Sequence, residues 1–385
     1  MEVKDAILKV TPETDYSIFD QIEAKDHEQV IFCSDPEVGL RAIIAIHNTS
    51  LGPGLGGTRM WPYKSDKEAL LDVLRLSRGM TYKAAVAGLN LGGGKGVIIG
   101  DPKKDKTEAL FRSYGRFVEG LAGRYITAED VGIDVRDMEW VRMETKYVTG
   151  ISRALGGSGD PSSVTALGTY AGMKASAKKV FGSDSLVGKK ISIQGAGHVS
   201  YYLVKLLAQE GAEIFICDLF PEKAHAIAKE FGARVVDKED IFDVDCDIFS
   251  PCALGSVLNS DTIPRLKCAI IAGCANNQLD SETVHGPMLI ERGILYAPDY
   301  VINAGGLINV ANELEGYNRE HAHSQAERIY DTLIDIYDHA EKLNIPTYTA
   351  SNELAIQRVR QIGRIKQVYA STSNYSGRLG ELNKR

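Results

Sequence analysis

Residues 189–220, KKISIQGAGHVSYYLVKLLAQEGAEIFICDLF, decide the fold. An apolar run, ISIQ, leads into a glycine turn. A helical stretch follows, and a second apolar run ends at Asp218. Gly195, Gly197 and Ser200 form a G-x-G-x-x-S directly after the first run, and Asp218 stands 23 residues beyond Gly195. A dinucleotide-binding strand–turn–helix–strand unit has this order and spacing. Ser200 replaces the usual third glycine but is small enough for close helix–strand packing. A helix N-terminus offers free N–H groups and a positive dipole end to a pyrophosphate. Gly195, Gly197, His198 and Val199 are therefore the cofactor-binding candidates on the turn. Asp218 is placed to accept hydrogen bonds from ribose hydroxyls. A carboxylate there repels a 2′-phosphate, which favours NAD over NADP. The plain alternative is a glycine turn with no ligand, and the strand before it and the acid after it argue against that.

Downstream, CDIFSP, AIIAGC and GILYAP are short apolar segments ending in small or turn-forming residues, with helical stretches between some of them. That alternation predicts a parallel sheet covered by helices. A long amphipathic helix is expected over residues 320–343, with Ala326, Ile329, Tyr330, Leu333, Tyr337 and Ala340 on one stripe. A last helix is expected after Asn352, and the polar tail after about residue 371 should fray.

Upstream, VTALGTYAGMKASAKKVF reads as a helix, and GGSGDPSS (156–163) before it reads as a hinge. RAIIAIHN and GVIIGD read as strands, and SDKEALLDVLRLSRGM as a helix capped by Ser65 or Asp66. The whole predicts an α/β protein of two domains across a cleft. Residues 1–150 with about 346–385 form an N-terminal α/β domain, and residues 151–345 form a Rossmann-type dinucleotide-binding domain.

Composition excludes several classes. The 385 residues are enough for two cores, and the 44% apolar and 25% charged content is that of a globular protein. The net charge of −7, with no run of like charges, argues against nucleic acid or an anionic membrane as partner. No apolar stretch approaches the length of a spanning helix, and the charged N-terminus is not a signal peptide. The six cysteines form no C-x-x-C and mostly lie in apolar runs, as buried free thiols of a reducing cytoplasm do. The histidines form no H-E-x-x-H, and no metal site is expected.

LNLGGGKGVIIGD (89–101) sets Lys95 among four glycines ahead of an apolar run. The glycines suggest a tight turn leading into the core, where a charged ammonium is costly to desolvate. A P-loop fails, because Leu89 and Gly96 stand where it needs Gly and Ser or Thr. An exposed hairpin lysine and a lysine of lowered pKa poised for acid–base work both remain open. Lys83 in GMTYKAA and Asp130 in YITAEDVG are unremarkable alone.

Taken with LGPGLGGTRM, GLNLGGGK, GRYITAEDVG, SPCALG, ANNQL and YAPDYVINAGG in this order, the chain resembles the glutamate/leucine/phenylalanine/valine dehydrogenase family, its leucine branch above all. The resemblance runs from HEQVIFC to the long helix. It implies reversible NAD-dependent oxidative deamination of an L-amino acid to a 2-oxo acid and ammonia. By resemblance Lys83 binds the substrate carboxylate with the backbone at Gly56 and Gly57, Lys95 is the general acid/base, and Asp130 exchanges a proton with the amino group. Leu55, Met80, Ala128, Leu307 and Val310 would surround the substrate side chain. Thr165, Asn276 and Asn277 would lie near the nicotinamide. Leu55 stands where glutamate-specific members carry a lysine, so an apolar branched-chain substrate (leucine, valine or isoleucine) is expected. Phenylalanine is the alternative: PYKS, LRLSRGMTYK and Leu307 match that branch, whereas Ala128 matches the leucine branch. His198 and Cys274 depart from the usual Asn and from Ser or Ala. A non-catalytic NAD-binding protein would be expected to lack one of Lys83, Lys95 and Asp130, and all three are present. The family also implies a homo-oligomer, an octamer or a dimer, assembled through the first domain.

Overall fold

The computed structural model describes residues 17–253 and 255–368. The N-terminal leader and the polar tail considered above lie outside the described residues. Two sheets organise the chain. The first contains β1 (Gln29–Asp35), β2 (Leu40–Asn48), β3 (Gly54–Trp61), β4 (Gly92–Ile99) and β5 (Tyr125–Glu129), in the order β1-β2-β4-β3-β5. Its β1–β2 and β2–β4 pairs are antiparallel; β3–β4 and β3–β5 are parallel.

The second sheet is parallel throughout. It holds β6 (Lys190–Gln194), β7 (Glu213–Cys217), β8 (Arg234–Val235), β9 (Ile248–Pro251), β10 (Ile270–Ile271) and β11 (Leu295–Tyr296), in the order β11-β10-β9-β6-β7-β8. This is the doubly wound order of a dinucleotide-binding fold, with the reversal between β6 and β9. The turn carrying Gly195 and Gly197 leaves β6 at that point, as the sequence predicts.

The first unit shows one clear departure from expectation. Gly92, Gly93, Gly94 and Gly96 do not form a turn; they lie with Lys95 inside β4. None has the positive φ that would call for glycine on conformational grounds. Space explains them instead. A Cβ on Gly93 would lie 2.2 Å from the backbone N of Thr81, in the helix Asp66–Val86. On Gly94 it would lie 2.5 Å from the Tyr125 ring, and on Gly96 2.1 Å from the Tyr114 hydroxyl. Successive residues of a strand face opposite sides, so the glycines clear one side for the helix and the other for two tyrosines.

The Asp66–Val86 helix starts where expected, with the Ser65 hydroxyl accepting from the Glu68 N–H. Its buried residues, among them Leu70, Val73, Leu74, Ser77 and Thr81, recur at three- and four-residue spacing and face β2 and β4.

Two further helices depart from the expected spans. The 320–343 stretch is two helices, Arg319–Glu327 and Ile329–Leu343, joined at Arg328. There the Arg328 N–H bonds Gln325 three residues back, a tighter turn. Both helices pack on the helix Ser162–Phe181, where Gly168 and Gly172 leave room for Ile329, Ile302 and Leu333. The last helix starts at Thr347, ahead of the expected Asn352. Pro346, with its fixed φ, precedes it, and the Thr347 hydroxyl bonds the Tyr296 carbonyl. Midway along it Arg358 donates to the carbonyls of Leu89 (2.6 Å), Gly88 (3.1 Å) and Ala85 (3.2 Å). The GGSGDPSS stretch is tied to the second unit by Glu313, which accepts from Gly150 N–H (3.0 Å) and Ser158 N–H (2.8 Å).

Gly93→Ala should lower the unfolding free energy by about 1–3 kcal/mol or more, the cost of overpacking against backbone. Gly79→Ala provides the contrast: Gly79 lies in the Asp66–Val86 helix that Gly93 meets, and its added Cβ would meet nothing within 4 Å. It should stabilise by roughly 0.5–1 kcal/mol. Thermal midpoints moving in opposite directions check the pair.

Candidate active site

Lys95 is almost fully buried, at 4% exposure, on the face of β4 that the helix crosses. Its Nζ lies 3.1 Å from Asp130 Oδ2, just after β5. The same oxygen accepts from Arg59 Nε at 2.9 Å. Gly57 makes this possible, since a Cβ there would sit 2.9 Å from the Asp130 Cβ. Arg59 continues to Asp72 Oδ2 at 3.0 Å, and the Tyr63 hydroxyl donates to that same oxygen at 2.7 Å. Burial pulls the Lys95 pKa below its usual value, against the attraction of Asp130. Asp130 moves in the opposite sense to its own burial: Lys95 and Arg59 outweigh the desolvation and hold its carboxyl below the usual range. Of the two open readings of Lys95, the exposed hairpin lysine is therefore excluded.

Lys83 stands on the helix that crosses β4, and its Nζ donates to Asn303 Oδ1 at 2.6 Å. Asn303 belongs to the second unit. Its Nδ2 donates to Asn276 Oδ1 (2.7 Å) and to the Cys274 carbonyl (3.1 Å). Burial brings Lys83 down to about 8; Asp299 opposes the shift and Lys95 adds to it. The two lysines, one acid and the edge of the parallel sheet thus meet in one place.

The expected side-chain pocket is largely brought together. Leu55, Met80, Leu307 and Val310 share one apolar cluster that joins the two units. Met80 lies against Gly56, where a Cβ would come within 3.2 Å of its Cγ. Ala128 is opposite Gly57 in the β3–β5 register and near Gly150, outside that cluster.

On the dinucleotide side the turn is shaped for a ligand. Gly195 has φ +112°, and a Cβ on it would lie 2.9 Å from the backbone of Cys252 and Ala253. A Cβ on Gly197 would meet nothing within 4 Å, so the outside of the turn is open. The helix His198–Glu210 has no side-chain cap, which leaves its first amides available. His198 is exposed and Val199 half-buried at its start; Ser200 is fully buried beneath it. Asp218 accepts from Ala196 N–H (2.7 Å) and Phe220 N–H (2.9 Å), which fixes its carboxylate beside the turn. These features fit a dinucleotide. Thr165 bonds the Pro161 carbonyl one turn back, and its hydroxyl borders Gly306. Asn277 takes φ +51°, and its side-chain oxygen is 3.5 Å from Arg75.

Arg59, Asp72, Asn303 and Asp299 belong to the site but were not singled out from the sequence. Alternation along β3 puts Arg59 on the face of Gly57, a usable signal. Asn303 and Asp299 lie in the quoted YAPDYVINAGG stretch, but nothing in that stretch alone points to Lys83, 220 residues before Asn303.

Residues 27–147 match the model of the Glu/Leu/Phe/Val dehydrogenase dimerisation domain, and residues 221–365 that of Glutamate/Leucine/Phenylalanine/Valine dehydrogenase. The chain is 57% identical over 352 residues to a leucine dehydrogenase of Thermoactinomyces intermedius, covering 91% of this chain and 96% of the relative. It is 47% identical over 363 residues to a phenylalanine dehydrogenase of the same organism, covering 94% and 99%. The crystal structure of an L-tryptophan dehydrogenase from Nostoc punctiforme matches with TM-score 0.82 and 47% identity, covering 90% of this chain and 99% of that one. No helix among the described residues is long and apolar enough to cross a membrane. The crossing of helix and strand, the buried lysine–aspartate pair and the parallel sheet beside them thus belong with matches that span both units, and the chain is a member of the glutamate/leucine/phenylalanine/valine dehydrogenase family.

Proposed function

We propose that the chain is an NAD-dependent L-amino acid dehydrogenase of the leucine type, catalysing reversible oxidative deamination of leucine, valine or isoleucine to the 2-oxo acid and ammonia. The observation that carries this is the contact of two proton-carrying groups beside Lys83: Lys95 Nζ lies 3.1 Å from Asp130 Oδ2, burial eases the loss of the Lys95 proton, and the positive charges of Lys95 and Arg59 hold the Asp130 carboxyl below its usual range. The pair can pass protons at one place.

Lys83, with the backbone at Gly56 and Gly57, binds the substrate carboxylate. Asp130 takes a proton from the substrate ammonium. Gly195, Gly197, His198, Val199 and Asp218 would hold the dinucleotide, with Thr165, Asn276 and Asn277 at its nicotinamide end; when bound it accepts hydride from the substrate Cα. Lys95 then takes a proton from the water that adds to the imine carbon and returns one as ammonia leaves. Asp218 supports NAD over NADP, because its negative charge opposes a 2′-phosphate. Leu55, Met80, Ala128, Leu307 and Val310 form the side-chain pocket, and none carries charge. The higher identity to a leucine than to a phenylalanine dehydrogenase supports an aliphatic preference.

Residues 1–150 with about 346–385 form the substrate-binding and oligomerisation domain, and residues 151–345 the dinucleotide-binding domain. The Arg358 bonds to the end of the Asp66–Val86 helix support the return of the last helix to the first unit. A homo-oligomer, an octamer or a dimer, built through the matched dimerisation domain is part of the same proposal, as are a cytoplasmic location and a small-molecule partner only.

NADH formation with a panel of L-amino acids tests the substrate class. Leucine, valine and isoleucine should lead, and glutamate should be rejected strongly, because a buried unpaired carboxylate costs several kcal/mol. Glutamate turnover comparable to leucine would overturn the pocket. Lys95→Ala should bind NAD normally but lose deamination by roughly 10²–10⁴-fold; near-normal kcat would exclude Lys95 as the base. Arg59 adds to the lowering of the Lys95 pKa. Removing that positive charge in Arg59→Gln raises the pKa, so the rising limb of kcat against pH should move to higher pH. A limb that stays in place or moves to lower pH contradicts the assignment of that limb to Lys95.

A further inference from the structure

GGSGDPSS (156–163) belongs to the segment that carries the chain from the first unit to the second, and both ends of that segment are held by one side chain. On the near side Val148 pairs with Thr127 of β5, and the Thr149 N–H donates to the Thr127 carbonyl at 2.8 Å. Ala128 of the side-chain pocket follows Thr127 directly, and Asp130 stands just beyond. On the far side the segment runs into the helix Ser162–Phe181, which carries Thr165. Between them the chain folds back on itself. The Gly157 N–H bonds the Ser152 carbonyl at 3.1 Å, and a Cβ on Gly157 would lie 2.0 Å from the Ile151 carbonyl oxygen.

Glu313 closes this loop. Its Oε2 accepts from the Gly150 N–H at 3.0 Å, and its Oε1 accepts from the Ser158 N–H at 2.8 Å and the Ser158 hydroxyl at 2.5 Å. Gly150 and Ser158 are both buried. Glu313 stands on the short helix Asn312–Glu315, which directly follows the helix Gly305–Ala311 bearing Leu307 and Val310. Asn312 fixes that short helix within the second unit, donating to the Ile308 carbonyl and to Gln325 Oε1, both at 2.8 Å. The carboxylate therefore ties an anchored part of the second unit to the residue next after the stretch paired with β5. We infer that Glu313 is a positioning residue, an assignment that rests on the function proposed above: it sets the spacing across the cleft between the amino acid held by the first unit and the nicotinamide held by the second. Hydride transfer needs its reacting atoms about 3–3.5 Å apart, and a misplacement of about 1 Å costs roughly 10²-fold.

The task needs a carboxylate. Two oxygens, both acceptors only, meet donors from both ends of the loop. Glutamine has the same shape but keeps one acceptor oxygen and presents N–H donors in place of the other. Whichever way the amide is turned, either Gly150 or Ser158 then faces a donor, and a buried N–H loses its acceptor. The bonds that set Asp218 beside the dinucleotide turn run to Ala196 and Phe220, inside the second unit. Dinucleotide affinity should therefore not depend on Glu313, whereas transfer between the units should.

The test compares the wild type with Glu313→Gln, and with Ser158→Ala, which removes one donor and keeps both backbone bonds. Amide exchange read by mass spectrometry should be roughly tenfold faster or more across residues 150–158 of Glu313→Gln. Stopped flow with NAD and leucine should show first-turnover hydride transfer slowed by roughly 10–10²-fold. Leucine deuterated at Cα should slow it further, and NADH binding followed by fluorescence should be unchanged. A merely structural defect would lower the fraction of active enzyme and leave the rate per active site as it was. Unchanged exchange overturns the tie between Glu313 and the loop. Faster exchange with unchanged hydride transfer, or a slower transfer matched by an equal loss of NADH affinity, overturns the positioning role. If Glu313→Gln does not fold, Ser158→Ala decides: an unchanged transfer rate overturns the inference, and a slower one with normal NADH affinity supports it. A wild type inactive on every amino acid counts against the functional proposal alone, and exchange across the loop still decides the tie.

Discussion

Everything at the site depends on how closely the Asp66–Val86 helix crosses β4. The Gly93 Cα and the Thr81 backbone meet with no room for a methyl group between them. Lys83 is two residues beyond Thr81 on the helix, and Lys95 two beyond Gly93 on the strand. Contact at the crossing fixes the distance between the two ammonium groups. A bulkier residue at the crossing would push the helix away and separate them, whatever the chemistry of the lysines themselves. The glycines do structural work that has a chemical result.

Bringing two lysines and an arginine into a half-dry cleft is costly unless acids accompany them. Asp130 lies between Lys95 and Arg59, and Asp72 takes the other end of the Arg59 guanidinium. The alternation of positive and negative groups gives both Lys95 and Arg59 an acidic partner, yet burial still leaves Lys95 and Lys83 easier to deprotonate than a surface lysine. The second unit contributes Asn303, an uncharged acceptor, so Lys83 is held in place without its charge being cancelled.

Much of the fold was legible in the sequence because its signals are local. The turn after β6, the acid at Asp218, the Ser65 cap and the apolar runs of the parallel sheet each declare themselves within a few residues. The β4 glycines were misread as a turn because glycine has two uses, conformational freedom and absence of bulk, and only the partner across the contact tells them apart. The break at Arg328 was invisible for a similar reason: the apolar stripe continues through it, and both helices pack on the same helix, Ser162–Phe181. At the site, Lys83, Lys95 and Asp130 were accessible through the family motifs. Arg59 could have been reached by strand alternation. Asn303 and Asp299 sit in the YAPDYVINAGG motif, but the role of Asn303 shows only in its contact with Lys83, 220 positions earlier.

The last helix has a consequence for how the chain is completed during synthesis. The carbonyls of Ala85, Gly88 and Leu89 close the end of the helix that carries Lys83, and their donor is Arg358, which lies 273, 270 and 269 residues later, respectively. The strands of the first unit are made early, but Arg358 can reach that helix end only when almost the whole chain has left the ribosome. Domains commonly fold in order as they emerge. Here the second unit can be finished first, and the unit begun first is the last to close. An incomplete chain therefore lacks the contact that steadies its catalytic helix, and amino acid chemistry begins only when the final helix has returned to it.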